Sequence, residues 1–377
     1  MSTSSPTCWV EIQPAALSHN FQQVTSLVDS ETGVIAVVKA DGYGHGLQIA
    51  GKSFAKAGAT ALAVTNLEEG LGLREAGIDT PILVLLPLLE EQTEIAAAHE
   101  LTVTVSRLEQ LHGLALGARR AAKKLKCHLY LETGMGNGGL REEELPVTLE
   151  GLRALPQLTL AGVYTHLPRA MEGASGYTER QLEHFRAILS DNALTAESGL
   201  LLHACNSAGS LLYGNAGLNA VRVGTLLYGQ QPVAGTKQLE LKRALTLKSR
   251  LVNTWQVAPG ECLGYAGEFR ASKPMRVGLV PAGYSVGVGT LPISRLGRPG
   301  ALTGGLGMLW KRLRRRTEMP FRVGVQGQGA PVVGRLAMNQ LLVDLSRLPE
   351  AHVGDEVELP AMWALLDSGL PRIIKSE

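Results

Sequence analysis

The feature that most constrains the fold is a regular alternation of short apolar runs and longer amphipathic stretches over roughly 240 residues, a length that suits eight βα repeats. The runs are rich in valine, leucine and isoleucine, which is typical of strands buried on both faces of a parallel sheet. The predicted strands are residues 34–38, 61–65, 82–86, 101–105, 128–132, 160–165, 200–204 and 220–223. Helical periodicity separates most of them, at residues 47–57, 67–76, 107–125, 141–155 and 178–189. This pattern predicts an α/β protein with a (β/α)₈ TIM-like barrel.

An open doubly wound sheet also alternates strands with helices, but no GxGxxG motif follows the first predicted strand. A further helix is predicted ahead of that strand, at residues 11–28. Pro14 suits a first helical turn, and Leu17, Phe21 and Val24 recur three to four residues apart on one face. We therefore favour a closed barrel that is preceded by one helix.

Beyond residue 240 the pattern changes to short β-like runs between turn residues, at 247–257, 275–280, 321–325, 331–336, 341–345 and 356–359. These runs predict a second, mostly β domain. We expect the barrel at residues 10–240 and the β domain at 241–377, with a strand from residues 1–9 joining the latter. An insertion before Phe321 carries the basic run Lys311–Arg316, which suits either an acidic partner or a solvated loop.

The charge balance gives no sign of a nucleic-acid or membrane partner, because 36 basic and 34 acidic residues leave a formal net charge of +2. The four cysteines are scattered without a CxxC pair, so they predict neither a metal site nor a disulfide framework. They fit a reducing cytoplasm. The N-terminus lacks the basic and apolar regions of a signal peptide, and the apolar run at 81–89 is too short to span a membrane. We expect a cytoplasmic protein.

Polar residues follow five of the predicted strands, at the carboxyl ends where barrel enzymes carry their chemistry. They are Lys39 and Tyr43 after the first strand, Asn137 in a glycine-rich loop after the fifth, His166 after the sixth, Asn206 and Ser207 after the seventh, and Arg222, Gly224 and Thr225 at the eighth. Barrels often bind phosphate in the loops after strands seven and eight, and Ser207 begins a predicted helix there. The sequence therefore predicts a phosphate-containing ligand on this rim.

Lys39 is the main catalytic candidate. Five apolar residues lead directly into it, and three glycines follow within residues 42–46. Poor hydration at a buried strand end makes an amine a better nucleophile and base, as a lysine that forms a Schiff base requires. The structural alternative is a strand-end lysine that reaches into water.

Residues 37–46, VVKADGYGHG, resemble the pyridoxal-phosphate lysine motif of the alanine racemase family (fold type III), and further similarities extend along nearly the whole chain. The resemblance implies that pyridoxal 5′-phosphate is the cofactor and that Lys39 binds it. It implies that Arg222 donates to the pyridine nitrogen. The other implied cofactor-binding residues are Tyr43, His166, Asn206, Ser207, Gly224 and Thr225.

The resemblance also implies racemisation of alanine by two bases, with Lys39 on one face of Cα and Tyr265 on the other. In the family this tyrosine comes from the partner subunit, which implies a head-to-tail homodimer with shared active sites. His166 and Arg222 match the family residues that activate the tyrosine. Tyr284 and Met338 match substrate-binding positions. The implied role is the supply of D-alanine for the cell wall.

Several positions depart from the family pattern. Asn137 stands where the family has an arginine near the substrate carboxylate, and Tyr130 replaces a lysine that is often carbamylated. Asn339 replaces an aspartate, Ser285 an acidic residue, and residues 363–377 lack the late phosphate-binding tyrosine. A broad-specificity or serine racemase and a non-catalytic pyridoxal-phosphate-binding protein are therefore alternatives. Cys262, close to Tyr265, leaves a fold-related decarboxylase as a third.

Overall fold

The computed structural model describes residues 6–173, 176–289 and 321–375. The chain divides into two compact units, Pro14–Ala244 and a second unit that combines Met1–Gln13 with Leu245–Glu377. The basic run 311–316, predicted to bind an acidic partner or to form a loop, lies outside the described residues. Among the residues that are described, no helix has both the length and the apolar character needed to cross a lipid bilayer.

The first strand in the described part of the chain is β1 (Cys8–Ile12), which belongs to the second unit. The helix predicted at 11–28 is shorter, α1 (Pro14–Thr25). The prediction was wrong at its start because Glu11 and Ile12 pair with Thr246 and Leu245 as part of a sheet. Pro14 then begins the helix, as its fixed φ and missing N–H favour.

The first unit is the predicted (β/α)₈ barrel, which the structure confirms. Its closed ring of parallel strands comprises β2 (Gly33–Val37), β3 (Ala61–Val64), β4 (Ile82–Val84), β5 (Thr102–Val105), β6 (Leu125–Tyr130), β7 (Leu158–Tyr164), β8 (Leu201–His203) and β9 (Ala220–Val223). The ring closes where β2 pairs with β9, with Val34 opposite Val221. Ile35, Val37 and Leu83 belong to an apolar cluster of inward-facing side chains in this barrel.

The helices between the strands are α2 (Leu47–Lys56), α3 (Leu67–Glu75), α4 (Thr93–Ala98), α5 (Gln110–Arg120), α6 (Leu145–Ala154), α7 (Tyr177–Asp191) and α8 (Ser207–Tyr213). The helix predicted at 107–125 is therefore too long at both ends. Its last residue, Leu125, is instead the first of β6 and pairs with Leu158 of β7. An apolar residue at helical spacing does not by itself distinguish these two environments.

The second unit is mostly β, as predicted. Its strands are β10 (Leu245–Arg250), β11 (Asn253–Val257), β12 (Cys262–Leu263), β13 (Phe269–Arg270), β14 (Met275–Val280), β15 (Arg322–Val325), β16 (Gln328–Val333), β17 (Leu341–Asp344), β18 (Glu356–Leu359) and β19 (Arg372–Ile374). The main sheet has the order β11-β14-β17-β16-β15-β18-β10-β1-β19. β12 and β13 form a separate antiparallel pair that flanks Tyr265.

Candidate active site

The barrel residues that were predicted to bind cofactor and substrate lie at the carboxyl ends of its strands. They are Lys39 and Tyr43 after β2, Asn137 after β6, His166 after β7, Asn206 and Ser207 after β8, and Arg222, Gly224 and Thr225 at or after the end of β9. The carboxyl ends of the parallel strands of a barrel meet on one rim. The structure therefore brings these residues to the same rim.

Arg222 contacts several residues of this rim, and its cationic side chain is buried. The guanidinium donates to Nδ1 of His203 at 2.7 Å, to Nδ1 of His166 at 2.8 Å and to the carbonyl of Thr165 at 3.1 Å. It also lies over the ring of Tyr164, 4.9 Å from the centroid, where a cation is attracted by the π-face. A guanidinium has five N–H donors, so it retains donors beyond these contacts for a ligand.

His166 is held in one neutral tautomer by this arginine. Burial, together with the charges of Arg222 and Lys39, lowers the pKa of His166 to about 3. Because Arg222 donates to Nδ1, the proton of the neutral ring must sit on Nε2. His166 therefore offers an N–H donor, not a charge, to whatever approaches its Nε2 side.

Two further histidines, marked by no sequence motif, extend this network into the barrel interior. His128 Nδ1 lies 3.1 Å from His203 Nε2, and Tyr164 stacks on His203 with 4.9 Å between ring centroids. Burial, with the charges of Arg222 and His128, holds the pKa of His203 well below its usual range. The sequence held one indication that His128 faces inward. His128 and Tyr130 occupy alternate positions of β6, and alternate residues of a barrel strand face the interior.

Because His128 is buried, we expect the free energy of unfolding to depend on pH. Burial and the charge of Arg222 lower the pKa of His128 to about 3, whereas an unfolded histidine titrates near 6.5. Between these values the unfolded chain binds a proton that the folded chain does not, so the free energy of unfolding decreases as pH falls, by about 1.4 kcal/mol per pH unit for this residue.

Urea denaturation of the cofactor-free protein at pH 6 and pH 5 measures this dependence. We expect His128→Gln to remove about 1.4 kcal/mol per pH unit from the slope, even if it also lowers stability at both pH values. His112→Gln, on the exposed face of α5, is the matched control. Equal slopes for the wild type and His128→Gln would contradict the assignment of His128 as neutral in the fold.

Tyr43, Ser207 and Gly224 form a compact polar cradle. Ser207 Oγ accepts from the N–H groups of Gly224 at 3.1 Å and Leu226 at 3.4 Å. A Cβ at residue 224 would lie 2.5 Å from the Tyr43 hydroxyl, so any larger residue there would require the tyrosine ring to move. Asn206 caps α8, which makes Ser207 its first residue. A serine hydroxyl that accepts two bonds still has its own proton to donate, so the cradle suits an anion.

The backbone after Lys39 is strained. Ala40, Asp41 and Tyr43 have φ of 54°, 54° and 53°, and Gly42 between them has φ of 59°, so the chain makes a left-handed turn. For residues with a side chain this conformation costs roughly 1–2 kcal/mol each. The glycines at 42–46 indicated a turn, but this conformation of Ala40 and Asp41 could not be predicted from residue preference.

Asn137 lies in a loop that is fastened by a carboxylate and a tyrosine. Glu132 accepts from the backbone N–H groups of Gly134 at 2.7 Å, Gly136 at 2.8 Å and Asn137 at 3.2 Å. Tyr130 donates its hydroxyl proton to Oδ1 of Asn137. Burial raises the pKa of Tyr130, so the phenol remains a donor at neutral pH. The amide group of Asn137 is thereby left to donate.

The second unit contains the remaining predicted residues. Tyr265 is 66% exposed and lines a cleft of about 250 Å³ together with Arg335 and Ala337. The side chain of Tyr284 is 47% exposed, and its backbone N–H donates to the carbonyl of Ala337 at 3.2 Å. Met338, which follows Ala337 in the chain, is 55% exposed. The unit thus presents two tyrosines and a methionine close together, with large apolar surfaces in solvent.

Sequence profiles of known families match both units. The profile "Alanine racemase, N-terminal domain" matches residues 12–232, and "Alanine racemase, C-terminal domain" matches residues 244–302 and 311–364. This chain belongs to the alanine racemase family. Two domain profiles in the same order cover most of the chain, so the membership applies to both units.

Individual alanine racemases, both curated relatives and solved structures, are similar to this chain over most of its length. The alanine racemase of Halothermothrix orenii is 33% identical over 93% of this chain and 86% of its own length, and that of Geobacillus kaustophilus is 35% identical over 93% and 84%. The solved alanine racemase of Clostridium difficile 630 superposes with a TM-score of 0.85 at 27% identity, covering 99% of this chain and 97% of that one. The alanine racemase from Bacillus anthracis with bound L-Ala-P gives a TM-score of 0.80 at 28% identity, covering 100% and 96%.

Proposed function

We propose that this chain is an alanine racemase that uses pyridoxal 5′-phosphate to interconvert L- and D-alanine. The observation that carries the proposal is the single rim where Lys39, the Tyr43–Ser207–Gly224 cradle and the buried Arg222 occur together, in a chain of this family. The proposed product, D-alanine, would supply cell-wall synthesis in the cytoplasm.

The polar groups of the rim fit the cofactor. When bound, pyridoxal phosphate withdraws electrons from Cα of an amino acid and so makes its proton removable. The cradle would hold the phosphate through the hydroxyls of Tyr43 and Ser207, with Asn206, Gly224 and Thr225 shaping its backbone. Arg222 would donate to the pyridine nitrogen. Because arginine does not release its proton readily, this nitrogen would stay unprotonated, which disfavours side reactions such as transamination.

Two residues would move the Cα proton. Lys39 would accept or return it on one face, and Tyr265 would do so on the other, because racemisation requires opposite faces of a planar carbon. His166 would position the tyrosine oxygen: its Nδ1 accepts from Arg222, so its Nε2 proton is the one available to donate. In this arrangement Arg222 acts on both the cofactor and the proton pathway.

Tyr265, Tyr284 and Met338 would act from a second copy of the chain. All three are large side chains that are 47% to 66% exposed in the second unit. Burying them against the barrel of another copy would remove apolar surface from water and complete the site. We therefore propose a head-to-tail homodimer with two shared active sites, with Tyr284 and Met338 contacting substrate.

Asn137 would bind the substrate carboxylate as a neutral donor. We expect Asn137→Arg to tighten the binding of small carboxylates such as propionate by roughly tenfold, because a charge-assisted bond is about twice as strong as a neutral one. Inhibition constants of propionate would measure this. Asn253→Arg, at an exposed position of β11, controls for the added charge. An unchanged inhibition constant for Asn137→Arg would mean that another group already binds the carboxylate.

The test of the function is exchange of the Cα proton in D₂O, followed by NMR, with L-alanine, L-serine and a longer amino acid in separate samples. We expect exchange with L-alanine and the appearance of D-alanine. Exchange with several amino acids would instead support a broad-specificity or serine racemase. A protein that binds the cofactor but exchanges no substrate would overturn racemase activity and leave a cofactor-binding role.

A further inference from the structure

Glu69 joins the ends of two barrel strands at the catalytic rim. It lies in the first turn of α3, and its Oε1 accepts from the backbone N–H of Ala40 at 2.6 Å. Its Oε2 accepts from the backbone N–H of Thr65 at 2.7 Å. Ala40 directly follows Lys39, and Thr65 directly follows β3. One partly buried carboxylate therefore holds the residue after Lys39 to the end of the neighbouring strand.

This use of the carboxylate goes beyond capping its own helix. Asn66 is the N-cap of α3 and accepts from the N–H of Glu69 at 3.0 Å. In an ordinary capping box the glutamate at this position returns a bond to the N-cap N–H. Here its two oxygens bond outside the helix instead, to Thr65 and to Ala40. The bond to Ala40 contributes nothing to helix geometry, so its effect falls on the segment after β2 that carries Lys39.

The left-handed turn explains why that strand end needs an external partner. Ala40 has φ of 54°, a conformation that its methyl group disfavours and that must be maintained by its surroundings. On one side of Lys39, the N–H of Val38 donates to the carbonyl of Ala63 at 2.8 Å. On the other side, the N–H of Ala40 donates to Glu69. The backbone of Lys39 is thus fixed from both neighbours, and the bond at the Ala40 N–H depends on a single side chain.

We infer that Glu69 is a positioning residue of the reaction: it fixes the backbone from which Lys39 projects, and thereby the place of the lysine amine relative to Cα. The inference rests on the proposed function of Lys39. It requires no contact between Glu69 and substrate or cofactor. It predicts that loss of the second carboxylate oxygen impairs proton transfer and cofactor attachment more than it impairs folding.

The experiment compares Glu69→Gln with Glu68→Gln, the adjacent and exposed glutamate of the same helix, which removes the same charge. Glutamine keeps the size of Glu69 but has one acceptor oxygen, so it cannot accept both N–H bonds. Cofactor-free protein is titrated with pyridoxal phosphate by visible absorbance, kcat and KM are measured for L-alanine, and Tm is recorded. A displaced reacting group can lower a rate by about 100-fold, so we expect Glu69→Gln to lower kcat by roughly 10- to 100-fold with KM nearly unchanged.

We also expect Glu69→Gln to weaken cofactor binding, while Glu68→Gln matches the wild type in both measurements. A Glu69→Gln protein with a lower Tm but wild-type kcat and cofactor affinity would overturn the inference and leave Glu69 with a role in stability alone. If Glu69→Gln does not fold, Glu69→Asp provides the same test, because the shorter carboxylate cannot span both N–H groups. The wild type is assayed in parallel: its failure to racemise would reject the proposed function, whereas the cofactor titration would still test Glu69.

Discussion

Replacing Lys39 by alanine should abolish racemisation and the absorbance band of covalently attached pyridoxal phosphate, which the wild type should keep on dialysis. In the proposed mechanism, the variant loses both the covalent attachment point of the cofactor and the base on one face of Cα. A positioned acid–base group alone contributes about 10²- to 10⁴-fold, so we expect a loss of at least roughly 10⁴-fold. The assay is D-alanine formation by the purified protein, alongside its absorbance spectrum before and after dialysis.

The same variant should still bind the cofactor, but reversibly. The cradle of Tyr43, Ser207 and Gly224 does not include Lys39, so Lys39→Ala should take up pyridoxal phosphate and lose it on dialysis. Lys52→Ala, at an exposed position of α2, should keep wild-type activity and absorbance. A Lys39→Ala protein that retains the wild-type band after dialysis would refute the assignment of Lys39.

Much of the fold was predictable from periodicity. The runs predicted at 220–223, 275–280 and 356–359 coincide with β9, β14 and β18, because each is bounded by residues that break the pattern on both sides. Boundaries failed where an apolar residue satisfies two patterns. Leu125 continues the spacing of α5 but belongs to β6, and only its pairing with Leu158 distinguishes them.

The residues of the candidate site that belong to sequence motifs could be predicted, whereas those that depend on contacts between strands could not. Lys39 and His166 follow strands and Arg222 lies near the end of one, so their common rim could be anticipated. His203 and His128 meet only when β6 and β8 are brought together in the closed ring. The sequence does not show whether a histidine on a strand faces a cation. The contacts of His128 and His203 could therefore be identified only in the structure.

Glu69, in the first turn of α3, illustrates the same limit. It stands beside Glu68 in the first turn of one helix, where acidic residues are favoured by the helix dipole. Nothing in that pattern separates the two. The difference arises because one carboxylate is within 2.6 Å of a backbone N–H that lies 29 positions away in the chain. The two side chains therefore differ in function through tertiary structure alone.

Replacing Tyr265 by phenylalanine should remove the second base while leaving the cofactor attached. We expect exchange of the Cα proton of L-alanine to slow by about 10²- to 10⁴-fold, the range for a single acid–base group, with a wild-type absorbance spectrum. The aromatic ring stays, so packing of its exposed segment is little changed. Tyr213→Phe, on a barrel helix outside the predicted site, is the matched control. Unchanged exchange in Tyr265→Phe would mean that another residue serves this face.

Mixing the two inactive variants tests whether Tyr265 acts on the barrel of its own chain or of a second copy. In a hybrid of Lys39→Ala and Tyr265→Phe subunits, a shared arrangement combines the intact Lys39 of one chain with the intact Tyr265 of the other at one of the two sites. If subunits exchange at random, half of the dimers are hybrids, so the mixture should recover about a quarter of wild-type activity. If Tyr265 acts within its own chain, every site in the mixture lacks one base and no activity returns. Because each parent should retain at most about 1% of wild-type activity, a recovery near a quarter must come from complementation between copies.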